Sequence, residues 1–193
     1  MLIRILAVLG LGFFLQGLWI PSKALLAQLL IARAWEASVS GDPSPRPWPW
    51  ADTWPVARIH LPETGSSLYA LEGASGESLA FGPAHISASA DPGDADNIAF
   101  AGHRDTHFAV LEELKVGQSI LVESIQGFDT YQIEGTEIVH ESRTDLLTRS
   151  GEPELTLITC YPFDAIVPGG PLRYIVHAKR ISTQKRDTPL ASN

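Results

Sequence analysis

The chain opens on a run of apolar residues with no polar face. Residues 5–20 are interrupted only by Gln16, a pattern unlike the amphipathic surface helix of a folded domain. As a helix this stretch reaches roughly 24 Å, short of a hydrocarbon core about 30 Å thick. The apolar character resumes at residues 24–32, after Pro21-Ser22-Lys23. A snorkelling Lys23 would let the span run a turn further. The pattern predicts one N-terminal transmembrane helix within an anchor at residues 1–34. A cleaved signal peptide competes with it, but the only small-residue cleavage candidate, Ala32-Arg33-Ala34, lies late and after the second apolar run. Arg4 flanks one side and Lys23 and Arg33 the other, so charge sets the orientation only weakly.

Residues 35–55 lose this pattern and form a linker rich in proline and tryptophan, of which residues 41–55, with Pro43, Pro45, Pro47, Pro49 and Pro55 closely spaced, read as semi-rigid and extended. All five tryptophans precede residue 56. Trp19 stands where interfacial aromatics collect, and Trp48, Trp50 and Trp54 suit either a membrane interface or the surface of the following domain.

From residue 56 the pattern becomes one of short strands. Residues 56–61 and 67–71 flank the turn Pro62-Glu63-Thr64-Gly65. Residues 73–85 read as a loop with one short apolar element at 78–81. Residues 97–102 read as a buried strand and 108–114 as two helical turns stopped by Gly117. Residues 119–124 and 130–140 form a hairpin-like pair around Gly127. Residues 141–152 are irregular, 154–160 are a strand, and 172–181 are the last one. Seven or eight short strands with scraps of helix predict a mainly β, closed or nearly closed barrel at residues 56–182. Residues 183–193 read as a disordered polar tail.

Composition narrows the chemistry. A net charge of −8 and a pI near 5.1 argue against nucleic acid as a partner. One cysteine in 193 residues excludes an internal disulfide and a thiolate-rich zinc site. No metal or cofactor site is expected. Asp91, Asp94 and Asp96 are close in sequence, but loop acidity alone is a weak calcium signal.

The lone cysteine is well placed for chemistry. Glu154-Leu155-Thr156-Leu157-Ile158-Thr159-Cys160 is a β-branched run that delivers Cys160 to its end, where Tyr161-Pro162 stops it. Taken alone, a lone cysteine is more often a buried core residue than a nucleophile. A reactive thiol needs a base or a cation beside it. Among six histidines, His103 emerges from a buried strand end after Gly102, as Cys160 does from its own strand. His107 is its local rival. Arg173 opens the strand after Cys160 and would lie beside the thiol if the two strands pair, with Arg104 as the alternative cation.

These residues resemble the signatures of a known family. Thr156-Leu157-Ile158-Thr159-Cys160 is similar to the TLxTC motif of sortases. Gly102-His103-Arg104-Asp105-Thr106 resembles their catalytic-histidine strand end, and Leu172-Arg173-Tyr174 the arginine that opens their last strand. The order His, Cys, Arg agrees as well. Gly82-Pro83-Ala84-His85 resembles a loop found upstream of the histidine in several classes. The Asp105-Thr106 extension, compact barrel and short anchor are most similar to the proteobacterial type, class GN.

The resemblance implies a cysteine transpeptidase of the sortase barrel fold. Cys160 would attack a threonine carbonyl in an LPXTG-like sorting signal of a protein substrate. Arg173 would hydrogen-bond the oxyanion, and His103 would protonate the leaving amine. An amine or water would then release the thioacyl product. Thr159, Tyr161, Asp105 and His85 are the expected substrate contacts, and loops 141–153 and 161–171 the specificity elements. The class implies an inner-membrane, single-pass protein anchored in the lipid bilayer, its barrel facing the periplasm or outside.

Leu61-Pro62-Glu63-Thr64-Gly65 is itself an LPXTG string. A sorting signal lies near a C-terminus before an apolar span and basic residues, whereas a whole barrel follows this one, so it reads as a turn. Two other enzymes fit less well. An L,D-transpeptidase would carry Ser-His-Gly-Cys around its nucleophile, and a papain-like cysteine opens a helix. The non-enzymatic alternative is a membrane-anchored periplasmic binding or scaffold domain that keeps the barrel without chemistry.

Overall fold

Alternation of apolar and polar residues fixes which face of each strand turns inward. In β1 (Pro55–Leu61) every second residue is buried, putting Ala57, Ile59 and Leu61 in the core. β5 (Ser119–Ser124) does the same with Ile120 and Val122. The remaining strands are β2 (Ser66–Glu72), β3 (Ala84–His85), β4 (Ile98–Ala101), β6 (Gly127–His140), β7 (Glu154–Tyr161) and β8 (Leu172–Lys185). They close a barrel in the order β1-β2-β3-β4-β7-β8-β6-β5, with β5 returning to β1. β2–β3 and β4–β7 are parallel, and the other pairs antiparallel. Closure leaves no open sheet edge, and Phe100, Phe108, Leu111, Tyr131, Leu155, Leu157 and Val176 pack inside. The predicted barrel of seven or eight strands, closed or nearly so, is a closed one of eight.

The structure is a computed structural model that describes residues 2–167 and 169–186. Side chains 2–16, 18, 20 and 21, which make up most of the predicted membrane span, lie outside the described residues, as do residues 187–193 of the predicted tail. Among the described residues, no helix is long and apolar enough to cross a membrane.

The first helix, α1 (Leu2–Val39), runs without a break through Pro21 and past the predicted anchor boundary at residue 34. The first residues of the predicted linker, 35–39, are therefore helical, and the helix ends before the stretch predicted as extended, residues 41–55. The reason is a stripe the apolar run conceals. Ala27, Ile31, Ala34, Trp35 and Ser38 recur at helical spacing and are buried, and Ser38 Oγ donates to the Pro55 carbonyl at 3.4 Å. Burial of Trp35 and Ile31 adds to the helix preference of a segment rich in alanine and leucine. Trp48 packs edge-on against Phe81 of the short helix α2 (Gly76–Phe81) at 4.9 Å, whereas Trp50 is 81% exposed.

The predicted tail also begins too early. Residues 183–185 continue β8 and pair with Gly127, Phe128 and Asp129. That pairing requires glycine at 127, whose φ is +147° and where a Cβ would sit 2.1 Å from the Gln184 carbonyl oxygen. Arg186 adds an ion pair to Glu123 at 2.8 Å. The LPXTG string forms the β1–β2 turn, with the Thr64 and Gly65 N–H groups donating to the Leu61 and Pro62 carbonyls and Leu61 in the core.

Candidate active site at the strand ends

β7 sends Leu155 and Leu157 into the core, so Ile158 and Cys160 lie on its other, outward face. Cys160 sits directly opposite Arg173 in the antiparallel β7–β8 register, and opposed residues share a face. On the other flank, β4 runs parallel to β7 with Ala101 beside Ile158, and the Gly102 N–H donates to the Ile158 carbonyl at 3.1 Å. Thr159 Oγ1 donates to the Gly102 carbonyl at 2.8 Å. These two bonds lace β4 to β7 up to the last step before His103 and Cys160. His103 thus leaves β4 at the level of Cys160, its side chain exposed. The structure brings His103, Cys160 and Arg173 to one rim.

The turn after β4 is held by packing. The His103 carbonyl accepts from the Phe108 N–H at 3.0 Å, and the buried Phe108 ring lies over Gly102. A Cβ at Gly102 would meet that ring at 2.6 Å. Gly102→Ala is expected to cost about 1–3 kcal/mol, as overpacked core positions do, and to displace His103. A lowered thermal midpoint together with slower turnover of the remaining folded enzyme would check this.

Arg173 is 23% exposed and is anchored through three of its guanidinium N–H donors. Its Nη2 meets Glu141 Oε2 at 2.7 Å, and its Nη1 donates to the carbonyls of Gly170 and Leu172. Arg104 is buried beside the same rim. It forks onto the Asp105 carboxylate at 2.9 and 3.2 Å. Asp105 is held below the usual carboxylate range, chiefly by that hydrogen bond, against the opposing effect of desolvation. His107, the rival base, is pushed down by burial, with His103 adding to the shift and the Ala80 carbonyl opposing it.

Of the four expected substrate contacts, only Asp105 lies exposed beside the proposed base. Thr159 is buried and its hydroxyl serves the backbone. Tyr161 alternates away from Cys160 and stacks on Tyr174 at 6.3 Å, part of a cluster with Phe163. His85 is 1% exposed, with Nδ1 on Glu72 at 3.0 Å and Nε2 on the Ala90 carbonyl at 2.9 Å. Both its nitrogens are committed inside the barrel wall, so it is corrected from a substrate contact to a structural residue.

The His85–Glu72 pair has a pH signature. His85 is raised above its ordinary 6.5, because the hydrogen bond and charge of Glu72 and the Ala90 carbonyl together outweigh desolvation, the largest opposing cause. Glu72 is lowered below its ordinary 4.5, first by the His85 hydrogen bond. A raised histidine stabilises fully below its unfolded value and loses that contribution as pH rises through the folded one. A lowered carboxylate stabilises above its unfolded value and loses it as pH falls. The gap in thermal midpoint between wild type and His85→Gln is therefore expected to peak between pH 4.5 and 6.5 and narrow on both sides. A gap that widens steadily above pH 7 would contradict this.

Asn97 is a site residue that sequence reasoning missed. Buried at the start of β4, it donates to the carbonyls of Leu146 and Thr148 at 3.1 and 2.9 Å and accepts from Thr156 Oγ1 at 2.9 Å. Asp96 accepts from the N–H groups of Ser150 and Gly151, both at 2.8 Å. Together they pin the β6–β7 connection to the sheet that carries Cys160. Ala101 and Ile158 lie half-buried on the Cys160 face of β4 and β7, an apolar floor below the thiol, while Ile175 on the same face of β8 is fully buried.

Comparison with known proteins agrees with this arrangement. Residues 59–181 match the family model described as "Sortase domain". The chain is 35% identical over 125 residues to sortase D of Bacillus subtilis (strain 168), covering 64% of this chain and 63% of that protein. The structure is similar to a Clostridium perfringens sortase D5 transpeptidase, with TM-score 0.59, 29% identity and coverage of 67% of this chain and 80% of that one. It is also similar to the catalytic domain of B. anthracis SrtD, with TM-score 0.59, 30% identity and coverage of 68% and 90%.

Proposed function

This chain belongs to the sortase family, and from that premise we propose that it is a membrane-anchored cysteine transpeptidase acting on an LPXTG-like sorting signal. The observation that carries the reading is the β7–β8 register, which sets Cys160 directly opposite Arg173 on one face, with His103 leaving β4 beside them. The Cys160 sulfur attacks the threonine carbonyl carbon of the signal. Arg173 donates to the oxygen as it gains charge. The carbon–nitrogen bond breaks, and His103 gives its proton to the departing amine, leaving a thioester on Cys160. An incoming amine, or water, attacks that thioester while His103 takes its proton, and the Cys160 thiolate leaves.

The floor of Ala101 and Ile158 suits the apolar residue of such a signal, and the connections at 141–153 and 161–171 flank it. The apolar run at residues 5–20 supports an anchor in the lipid bilayer of the inner membrane, with the barrel facing the periplasm or outside. The Asp105-Thr106 extension after His103 supports class GN. The likeness to sortase D of Bacillus subtilis favours the D type as a second reading.

Mass spectrometry of the full-length chain after incubation with LPXTG-type peptides tests the proposal. The expected result is a thioacyl adduct on Cys160 equal in mass to the peptide cut after threonine. Peptides that bind yet remain uncut, with no adduct for any candidate signal, would overturn it in favour of a binding domain.

A further inference from the structure

Arg104 carries a charge into the protein directly after the proposed base, and its residue is only 3% exposed. Buried guanidinium groups persist where their donors are matched. Here Nε and Nη2 fork onto Asp105, Nη1 donates to the Pro162 carbonyl at 2.6 Å, and Nη2 also donates to the Ala165 carbonyl at 3.0 Å. Those two carbonyls belong to the segment that leaves β7 just after Cys160. One side chain therefore joins the turn after His103 to the segment after the nucleophile, some 60 residues away in sequence. The hydrogen bond to Asp105 holds the guanidinium firmly protonated, against the opposing effect of desolvation.

We propose that Arg104 is a positioning residue that locks residues 162–165 onto the His103 turn, so that base, nucleophile and the wall beside them form one preorganised body. The inference rests on the transpeptidase reading of this rim. Its consequence is a binding site shaped before the peptide arrives, which lowers the cost of ordering it on binding. The planar fork is the part that matters. A lysine keeps the charge but reaches one carbonyl rather than two while holding Asp105.

The test compares full-length wild type, Arg104→Lys, Arg104→Gln and Asp105→Asn by hydrogen exchange and by cleavage of an LPXTG-type peptide. In Arg104→Gln the amides of Phe108 and Ala165, which donate to the His103 and Pro162 carbonyls on the two sides of the lock, are expected to exchange at least tenfold faster, with those of Ile59 and Val122 unchanged. KM is expected to rise about tenfold and kcat to stay within threefold. Arg104→Lys and Asp105→Asn should fall between, and they carry the test if the glutamine variant fails to fold. Exchange that speeds up throughout the barrel, with KM unchanged and kcat falling with the folded fraction, would overturn the proposal. So would unchanged exchange at both Phe108 and Ala165. A wild type that cuts nothing would sink the transpeptidase reading alone, because the exchange result still decides the lock.

Discussion

Cys160→Ala is expected to lower cleavage of an LPXTG-type peptide by at least about 10³-fold, or about 4 kcal/mol in the barrier. The loss follows from chemistry alone. Without the sulfur no thioester forms, and what remains is binding plus any stabilisation of charge by Arg173. The fold should survive the change. Cys160 is only partly buried, near the end of β7, and its side chain lies on the face away from Leu155 and Leu157. Deleting one sulfur there should change stability by no more than about 1 kcal/mol, so the thermal midpoint separates chemistry from unfolding. Cys160→Ser should stay close to the alanine variant, since a hydroxyl is a far weaker nucleophile near neutral pH. Equal cleavage by wild type and Cys160→Ala would remove the cysteine from the mechanism altogether.

The barrel and its rim were legible in the sequence for one reason. Strands that bury one face must alternate, and residues at strand ends become neighbours once the strands pair. β1 and β5 alternate cleanly, whereas β7 is buried on both faces over Leu155–Leu157, so Cys160 and Arg173 were placed by their strand-end positions and by the motifs around them. What the pattern could not show is held by tertiary contacts. β3 is two residues long and exists through its bonds to β2 and β4. The helical continuation past residue 34 depends on a stripe hidden within an apolar run. Residues 183–185 look like a polar tail because an exposed strand end needs no apolar side chains, and only Gly127 permits the close pairing.

The same limit explains the site residues that were misplaced or missed. His85 belongs to a motif-like string, but its role is set by Glu72, 13 residues away in sequence. Asn97 touches a connection about 50 residues further on. Its one sequence signal was a polar residue at the start of a fully buried strand. A side chain in that position must find partners, and the partners it found support the wall of the proposed site.

Arg173 is the residue on which two readings diverge, and Glu141 separates them. If Arg173 only ties the end of β8 to the β6–β7 connection, then breaking the pair from either side should have the same small effect. The ion pair is partly exposed, at 23% and 51% for the two side chains, and such pairs contribute about 0–1 kcal/mol. If Arg173 donates to the developing oxyanion, the two variants must behave very differently. Arg173→Ala should cost about 10²–10³ in kcat, the range for losing one oxyanion donor. Glu141→Gln should cost less than about tenfold, because an amide oxygen can still accept from Nη2 and the guanidinium keeps its place opposite Cys160. Arg173→Lys should recover only part of the loss, since a point charge cannot hold the Gly170 and Leu172 carbonyls and face the substrate together. Steady-state kinetics on the three variants, with thermal midpoints as the control, decides the matter. Matching losses in Arg173→Ala and Glu141→Gln would make the arginine a structural tie and remove it as the oxyanion donor.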